Sequence, residues 1–268
     1  MPSELTLPFK QAADYNCGRA APIRLIVLHS MEAAETGATA EMCQNFFATP
    51  SGGTVGSTHV CVDNDSAVRS VHDWDTCWGA PCVNSDGLHI EQAGYAAQGS
   101  AGWNDDFSRW MIAMQTARVA GYWSWQYNIP LVHLTGSALR DRTRRGFCLH
   151  MDATAAWGIE GGHTDPGAGY PIDLFVARAQ GWRAQFAGVP VAVKRNPYPT
   201  PARLLWLCAP MVSGNDVRFV QWALGIPVDG LFGPQTDAAV RAFQRRQGFV
   251  VDGIVGPITA SGLTLITR

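Results

Sequence analysis

The chain has 268 residues, 47% hydrophobic and 16% charged, which is enough apolar material for a packed core and too much for wholesale disorder. Its formal net charge of −2 gives no general electrostatic reason to bind nucleic acid, and arginine supplies nearly all the positive charge, Lys10 and Lys194 being the only lysines. No apolar stretch reaches the length of a membrane span, and Met1–Lys10 lacks a basic start followed by an apolar segment, so neither membrane insertion nor a secretory signal is expected.

In chain order, Arg24–His29 is a short apolar run of strand length, and Thr39–Phe47 reads as a helix. Thr58–Asp63 and Ala67–His72 read as a strand pair across the turn Asn64-Asp65-Ser66, and Leu88–Gln92 as a further strand. Phe107, Trp110, Met114, Ala117 and Gly121 recur at helical spacing within Asp106–Trp125. A last helix of this part runs from Pro171, suited to a first turn, to about Phe186. The fold class expected is α/β, a mixed central sheet flanked by helices, followed by a small all-α three-helix domain.

The boundary falls where Pro190, Pro197, Pro199, Pro201 and Pro210 punctuate Gly188–Pro210 and block continuous helix. The expected division is a catalytic domain over 1–187, a proline-rich linker over 188–208 and a binding domain over 209–268. Beyond the linker the chain repeats itself: Gly225–Thr236 is echoed by Gly248–Thr259, each with an Asp-Gly turn followed by Gly-Pro opening a helix. Between the copies, Val240, Phe243 and Gln247 mark one helix face. The seven cysteines form no Cys-x-x-Cys pair, so reduced thiols are expected, with a Cys77–Cys82 bridge as the alternative.

Three residues suggest chemistry together. His29 ends one apolar run, His150 ends another (Gly146–Leu149), and Asp165 lies in the turn-rich loop Gly161–Gly167. Two imidazoles and a carboxylate meeting at one point suit zinc, with a fourth position left for water. Singly, each has a plainer reading: the histidines as hydrogen-bonded surface residues, Asp165 as a turn former before Pro166. Alternation in Leu88–Gln92 puts Leu88 and Ile90 on one face of a strand and His89 and Glu91 on the other. Glu91 is then either an ion-pair member or a general base beside a metal.

Residues from about Pro22 to Phe186 resemble the zinc-dependent N-acetylmuramoyl-L-alanine amidases that share a fold with peptidoglycan-recognition proteins. The resemblance rests on Ile26-Val-Leu-His29, Ser57–Asp65, Ile90-Glu91, His150 and Thr164-Asp-Pro-Gly167, in that order along the chain. It implies Zn2+ held by His29, His150 and Asp165, with Glu91 catalytic. Where many relatives have a lysine, this chain has His163, which by analogy donates to the substrate carbonyl or serves as a further ligand. Relatives often carry a Trp-His pair where Trp78-Gly79 stands, and a small residue at the position of His89. His59, in the Ser-x-His strand, is implied to be structural or substrate-lining, and His59, His89 and Trp78 are the expected substrate contacts. Gly214–Leu263 resembles the three-helix peptidoglycan-binding domain.

The function implied is hydrolysis of the amide between N-acetylmuramic acid and L-alanine in bacterial peptidoglycan, by a monomer made in the cytoplasm and acting on the wall in the manner of a phage endolysin. The alternatives are a zinc peptidase cutting within the stem peptide and a non-catalytic recognition protein. His72 and His133 read as ordinary polar residues, most tryptophans as core, and Arg140, Arg142, Arg144 and Arg145 as a solvated run, with recognition of a peptide carboxylate as the minority reading.

Overall fold

The apolar run at Arg24–His29 is a strand, and most of the other expected elements form with altered ends. The computed structural model describes residues 4–49, 56–160, 162–188, 196–247 and 249–265, and its chain divides into two compact units, Met1–Val189 and Pro190–Arg268. Gly161, Gly248 and residues 189–195 of the proline-rich segment lie outside the described residues.

The first unit runs β1 (Tyr15–Asn16), β2 (Leu25–Ser30), α1 (Thr39–Ala48), β3 (Val60–Val62), β4 (Ala67–Arg69), β5 (Thr76–Cys77) and β6 (Gly87–Gln92). A 3-10 turn (Ala96–Gln98) leads into α2 (Gly99–Trp103) and α3 (Asp106–Met111). A π-helical turn (Ile112–Thr116) and α4 (Ala117–Gln126) come next, then α5 (Gly136–Arg140), β7 (Gly146–Leu149), α6 (His150–Trp157) and α7 (Ile172–Phe186). The main sheet has the order β4-β3-β6-β2-β7, with only the β3–β4 pair antiparallel. β1 and β5 form a separate antiparallel pair.

Strand alternation sorts the sheet into two unlike faces. Ile26, Leu28, Val60, Val62, Leu88, Ile90, Phe147 and Leu149 face one way, into a continuous core with Ile112, Ala117, Ala120, Trp123 and Phe175. α7 packs so closely on α4 that a Cβ at Gly121 would lie 2.6 Å from Trp182 Cβ, which is why the helical stripe carries a glycine there. The expected helix over Asp106–Trp125 is thus three pieces, the π turn in its middle carrying Thr116, whose hydroxyl donates to Gln92 Oε1 at 2.9 Å.

The opposite face is covered by two separate apolar patches. Leu25, Val27 and Cys148 pack with Leu139, Ala153 and Ala156 of α5 and α6, while Cys61 and Val68 pack with Ala40 and Phe47 of α1. Polar residues of the central strands, His29, His89 and Glu91, occupy the ground between, toward the carboxyl ends of the parallel strands where open α/β sheets place their ligands. All seven cysteines are free, and the Cys77–Cys82 alternative is not formed.

The second unit holds α8 (Asn215–Leu224), α9 (Pro234–Arg246) and α10 (Pro257–Leu265). Gly225, at φ +68°, closes α8 in the left-handed conformation that glycine adopts without penalty, and Pro234 opens α9. The repeat is a repeat of hydrogen bonds. Gln221 Nε2 donates to Asp229 Oδ1 (2.6 Å), Leu231 O (3.0 Å) and Thr236 Oγ1 (3.1 Å), and Gln221 Oε1 accepts from Gly230 N. In the second copy Gln244 repeats all four bonds, with Asp252, Ile254, Thr259 and Gly253. Each buried glutamine ties its Asp-Gly turn to the helix that follows. The residue on this helix face that goes inside is therefore Gln244, and Gln247 is only half-buried.

The expected linker over 188–208 needs correction. Leu205 is fully buried in this unit's core and pairs with Val255, Asn196 Nδ2 donates to Phe219 O, and Arg203 pairs with Asp216 at 2.6 Å. The prolines prevent helix, yet over residues 196–208 the chain packs on the small three-helix core through Leu205 and the half-buried Tyr198, while Leu204, Trp206 and Leu207 stay exposed.

Candidate metal centre

Register and one loop bring the site together. In the parallel β2–β6 pair His29 lies opposite Glu91, and in the β2–β7 pair Leu28 lies opposite Leu149, so His150 follows just past the end of β7 beside His29. His150 is the first residue of α6 rather than the last of a strand, a correction to the expectation that both imidazoles end strands. Asp152 holds that helix start, accepting Leu149 N–H at 2.8 Å and pairing with His133 at 2.7 Å. Asp165 is fixed from both ends: its carbonyl accepts Met151 N–H (2.9 Å), and its Oδ2 accepts Ser30 N–H (3.4 Å). Two residues on, Gly167 has φ +90°, and a Cβ there would lie 2.2 Å from Ala96 O, so only glycine lets this loop close on the 3-10 turn.

The result is a buried trio. His29 Nδ1 lies 3.0 Å from His150 Nδ1 and 3.2 Å from Asp165 Oδ2, and His150 Nδ1 lies 3.1 Å from Asp165 Oδ1. Asp165 Oδ1 is buried yet makes no hydrogen bond of ordinary geometry. Burial lowers the pKa of His29 to about 4, working with the neighbouring His150 and against Asp165. For Asp165, burial pushes upward, but the close imidazoles of His150 and His29 outweigh it and hold the carboxyl well below its usual range. A neutral His29 and an ionised Asp165 are the forms in which these groups offer lone pairs to a metal. Among the described residues, His29, His150 and Asp165 form the one group of three such side chains close enough to hold an ion.

Glu91 stands beside this trio without joining it. Its Oε1 lies 3.8 Å from His29 Nδ1, and its Oε2 is buried with no hydrogen-bond partner. Burial above all, with Asp165 and Glu32 nearby, raises its pKa well above the ordinary value. His163 stacks on the His150 ring at 4.4 Å between centroids, with Nδ1 3.4 Å from Asp165 Oδ1 and a side chain 70% exposed. It lies at the solvent side of the trio, open to a substrate.

Two expected substrate contacts are corrected. His59 and His89 are both fully buried, so neither touches a substrate. His59 is packed between the guanidinium of Arg19 (2.7 Å) and the backbone N–H of His89, which donates to its Nδ1 (3.0 Å). Trp78, by contrast, is exposed, bonds Asn16 Oδ1 through its indole N–H, and lines a cavity of about 690 Å³ with Arg19, Asn84 and Arg142. The arginine run is mostly tied down: Arg140 to Ala156 O, Arg142 to Asp86 and Cys82 O, Arg145 to Tyr127 O. His72 pairs with Glu4.

The sequence reading missed Gln92. Fully buried, it donates to the carbonyl of His29 (3.0 Å) and accepts from Thr116 and Tyr170, tying the end of β2 to the helical layer. Its signal was available, since it shares the face of Leu88 and Ile90 and is the one polar residue there. Arg19 was also missed, because a half-buried arginine among glycines and alanines carries no pattern.

With the geometry described, the class follows. Residues 19–168, more than half of the chain, match the family described as N-acetylmuramoyl-L-alanine amidase, and residues 213–263 match the family described as putative peptidoglycan binding domain. This chain belongs to the N-acetylmuramoyl-L-alanine amidase family. It is an enzyme that hydrolyses the amide between N-acetylmuramic acid and L-alanine in peptidoglycan, and it carries a second, peptidoglycan-binding domain. Among solved structures, the Staphylococcus aureus hydrolase AmiA in complex with its ligand shares the fold, at 12% identity over 70% of this chain and 88% of that one, with a TM-score of 0.52. A mutant endolysin from Bacillus subtilis (18% identity, 65% and 99% covered, TM-score 0.43) and the amidase LysCS from Clostridium intestinale URNW (14%, 66% and 97%, 0.39) are also similar. No curated protein sequence matches the chain. Among the described residues no helix is long and apolar enough to cross a membrane.

Proposed function

We propose that this amidase is a zinc enzyme, with the metal held by His29, His150 and Asp165 and with Glu91 and His163 as its catalytic groups. The observation that carries the proposal is the convergence of two imidazole nitrogens, 3.0 Å apart, on one carboxylate, whose Oδ2 lies 3.2 Å from His29 Nδ1 and whose Oδ1 lies 3.1 Å from His150 Nδ1. Tetrahedral zinc with bonds of ~2.0–2.1 Å spaces its ligand atoms by ~3.3 Å, close to each of these three contacts. That Asp165 Oδ1 is buried among imidazoles without a hydrogen bond of ordinary geometry supports the same reading. Zinc bound there would polarise the scissile carbonyl and acidify a water.

The remaining work belongs to the chain. Glu91, its carboxyl held beside the trio but outside it, takes a proton as the water oxygen bonds to the carbonyl carbon, and returns it to the amine nitrogen of L-alanine as the C–N bond breaks. The exposed His163 donates to the carbonyl oxygen as negative charge gathers there. Trp78 offers an indole face to the glycan or stem peptide at the mouth of its cavity. The second unit tethers the enzyme to the wall, and the chain acts as a monomer with no nucleic-acid or membrane-inserted partner. The domains proposed are the amidase unit and the repeat-built binding unit, the second beginning before Asn196.

Mass analysis of digested peptidoglycan tests the cleavage: glycan chains freed of intact L-alanine-terminated peptides are expected, and fragments cut within the stem peptide would favour a peptidase. Elemental analysis tests the metal. One zinc per chain is expected, lost in His29→Ala and in Asp165→Ala, and stoichiometric zinc in both variants would sink the ligand assignment.

A further inference from the structure

His89 is a fully buried imidazole that the reaction proposed above leaves without a task. It lies on β6 next to His29: its Nδ1 is 2.9 Å from His29 Nε2, and the rings stack at 5.1 Å with 24° between planes. The direction of this hydrogen bond follows from the ligand set. A His29 that offers its Nδ1 lone pair toward His150 and Asp165 carries its proton on Nε2. That proton goes to His89 Nδ1, which therefore accepts. His89 must then keep its own proton on Nε2, and that atom is buried with no hydrogen-bond partner. A histidine present only to fill space would leave no ring N–H stranded, since an apolar side chain of the same size fills it without that defect. The stranded N–H is what an acceptor at Nδ1 entails here.

The surroundings hold the ring in this one place. A Cβ at Gly79 would lie 2.7 Å from His89 Nδ1, and one at Gly87 would lie 2.9 Å from His89 Nε2, so two glycines frame the two ring nitrogens. The backbone of His89 is gripped as well: its N–H donates to His59 Nδ1 (3.0 Å), and its carbonyl accepts from Thr58 Oγ1 (3.0 Å). His59 stacks behind it at 5.8 Å, backed in turn by Arg19. A rigid column thus runs from Arg19 through His59 to His89 and ends on the far nitrogen of His29.

We infer that His89 is a positioning residue for the metal centre: by accepting the Nε2–H of His29 it fixes the tautomer and ring plane in which His29 presents Nδ1. This rests on His29 being a zinc ligand. Ligand histidines are generally oriented by a carboxylate or carbonyl at their second nitrogen, and loss of such a partner typically weakens metal binding by ~10–100-fold. Here an imidazole does that work.

The test measures zinc affinity of the full-length chain by competition with a chromophoric chelator, alongside thermal unfolding of the metal-free proteins. His89→Leu fills the ring's space without an acceptor and should weaken zinc binding by ~10–100-fold while the metal-free protein unfolds near the wild-type temperature. His89→Asn returns an acceptor oxygen close to the Nδ1 position and should stay within ~3-fold of wild type. Unchanged affinity in His89→Leu, or an equal loss in both variants, overturns the proposal. If His89→Leu does not fold, His89→Asn decides: wild-type-like affinity supports the acceptor role, and a loss of tenfold or more (~1.4 kcal/mol) refutes it. A wild-type chain that takes up no zinc, or a His29→Ala variant that keeps it, breaks the ligand assignment itself and the proposal with it. That failure is visible before any His89 variant is compared.

Discussion

Glu91→Gln separates chemistry from folding more cleanly than any other change at the site. The side chains are nearly the same size, Oε2 has no hydrogen-bond partner to lose, and Oε1 lies 3.8 Å from His29 Nδ1, beyond hydrogen-bond range. Nothing structural should break. Catalysis should, because an amide cannot carry the proton from water to the leaving amine. Loss of a general base is worth ~10²–10⁴ in kcat, or about 2.7–5.4 kcal/mol of transition-state stabilisation. Stability should move the other way. Burial raises the folded-state pKa of Glu91. A raised pKa means that this carboxyl's contribution is fully present below its unfolded pKa of ~4.5 and is lost as pH rises toward the folded value, at up to about 1.4 kcal/mol per pH unit. Glutamine has no such loss. Metal-free Glu91→Gln should therefore match the wild type near pH 4 and be the more stable protein at pH 7. Turnover of a soluble muropeptide, zinc content, and denaturant unfolding in chelator at the two pH values give the three readouts. Near-normal turnover in a zinc-loaded variant rejects the base role, and a variant less stable than wild type at pH 7 rejects the electrostatic argument.

Three further outcomes are expected. His163→Ala should keep its zinc and slow turnover by ~10²–10³, the effect of removing one donor to a developing oxyanion, with His163→Lys recovering part of the loss; zinc lost from His163→Ala but retained in Asp165→Ala would exchange the two roles. A fragment ending at Gly188 should cleave soluble muropeptides like the full chain but sediment less with intact walls, since the tethered unit raises local concentration at an insoluble substrate; equal retention counts against the module. Gln244→Ala and Gln221→Ala should each destabilise the second unit by about 2–3 kcal/mol, because each strands buried partners in its turn, and unfolding curves indistinguishable from wild type would show that these networks do not hold the repeat together.

How far the sequence could be read differs by the kind of information each residue carries. Parity within Leu88–Gln92 correctly put His89 and Glu91 on the face opposite Leu88 and Ile90, because strand periodicity is a local rule. The repeat was legible for the same reason, its Asp-Gly and Gly-Pro pairs being turn chemistry written into neighbouring residues. Strand order was not legible, since β2 takes its partners from residues 87–92 and 146–149; residue type and the resemblance could group His29 with His150 and Asp165, but only the register puts His150 beside His29. Depth was not legible either. The linker reading saw prolines but not the buried Leu205, and the substrate-contact reading saw histidines at His59 and His89 but not that Gly79 and Gly87 open an interior space for a ring. A histidine on the polar side of a strand is ordinarily taken to face solvent or substrate. Here that side of the sheet is itself an interior, roofed by α1 on one flank and by α5 and α6 on the other, so the polar face of β6 becomes the inside wall of the site. Polar alternation therefore located the residues that surround the centre, while the glycines opposite them decided which were buried behind the ligands and which were left to meet the substrate.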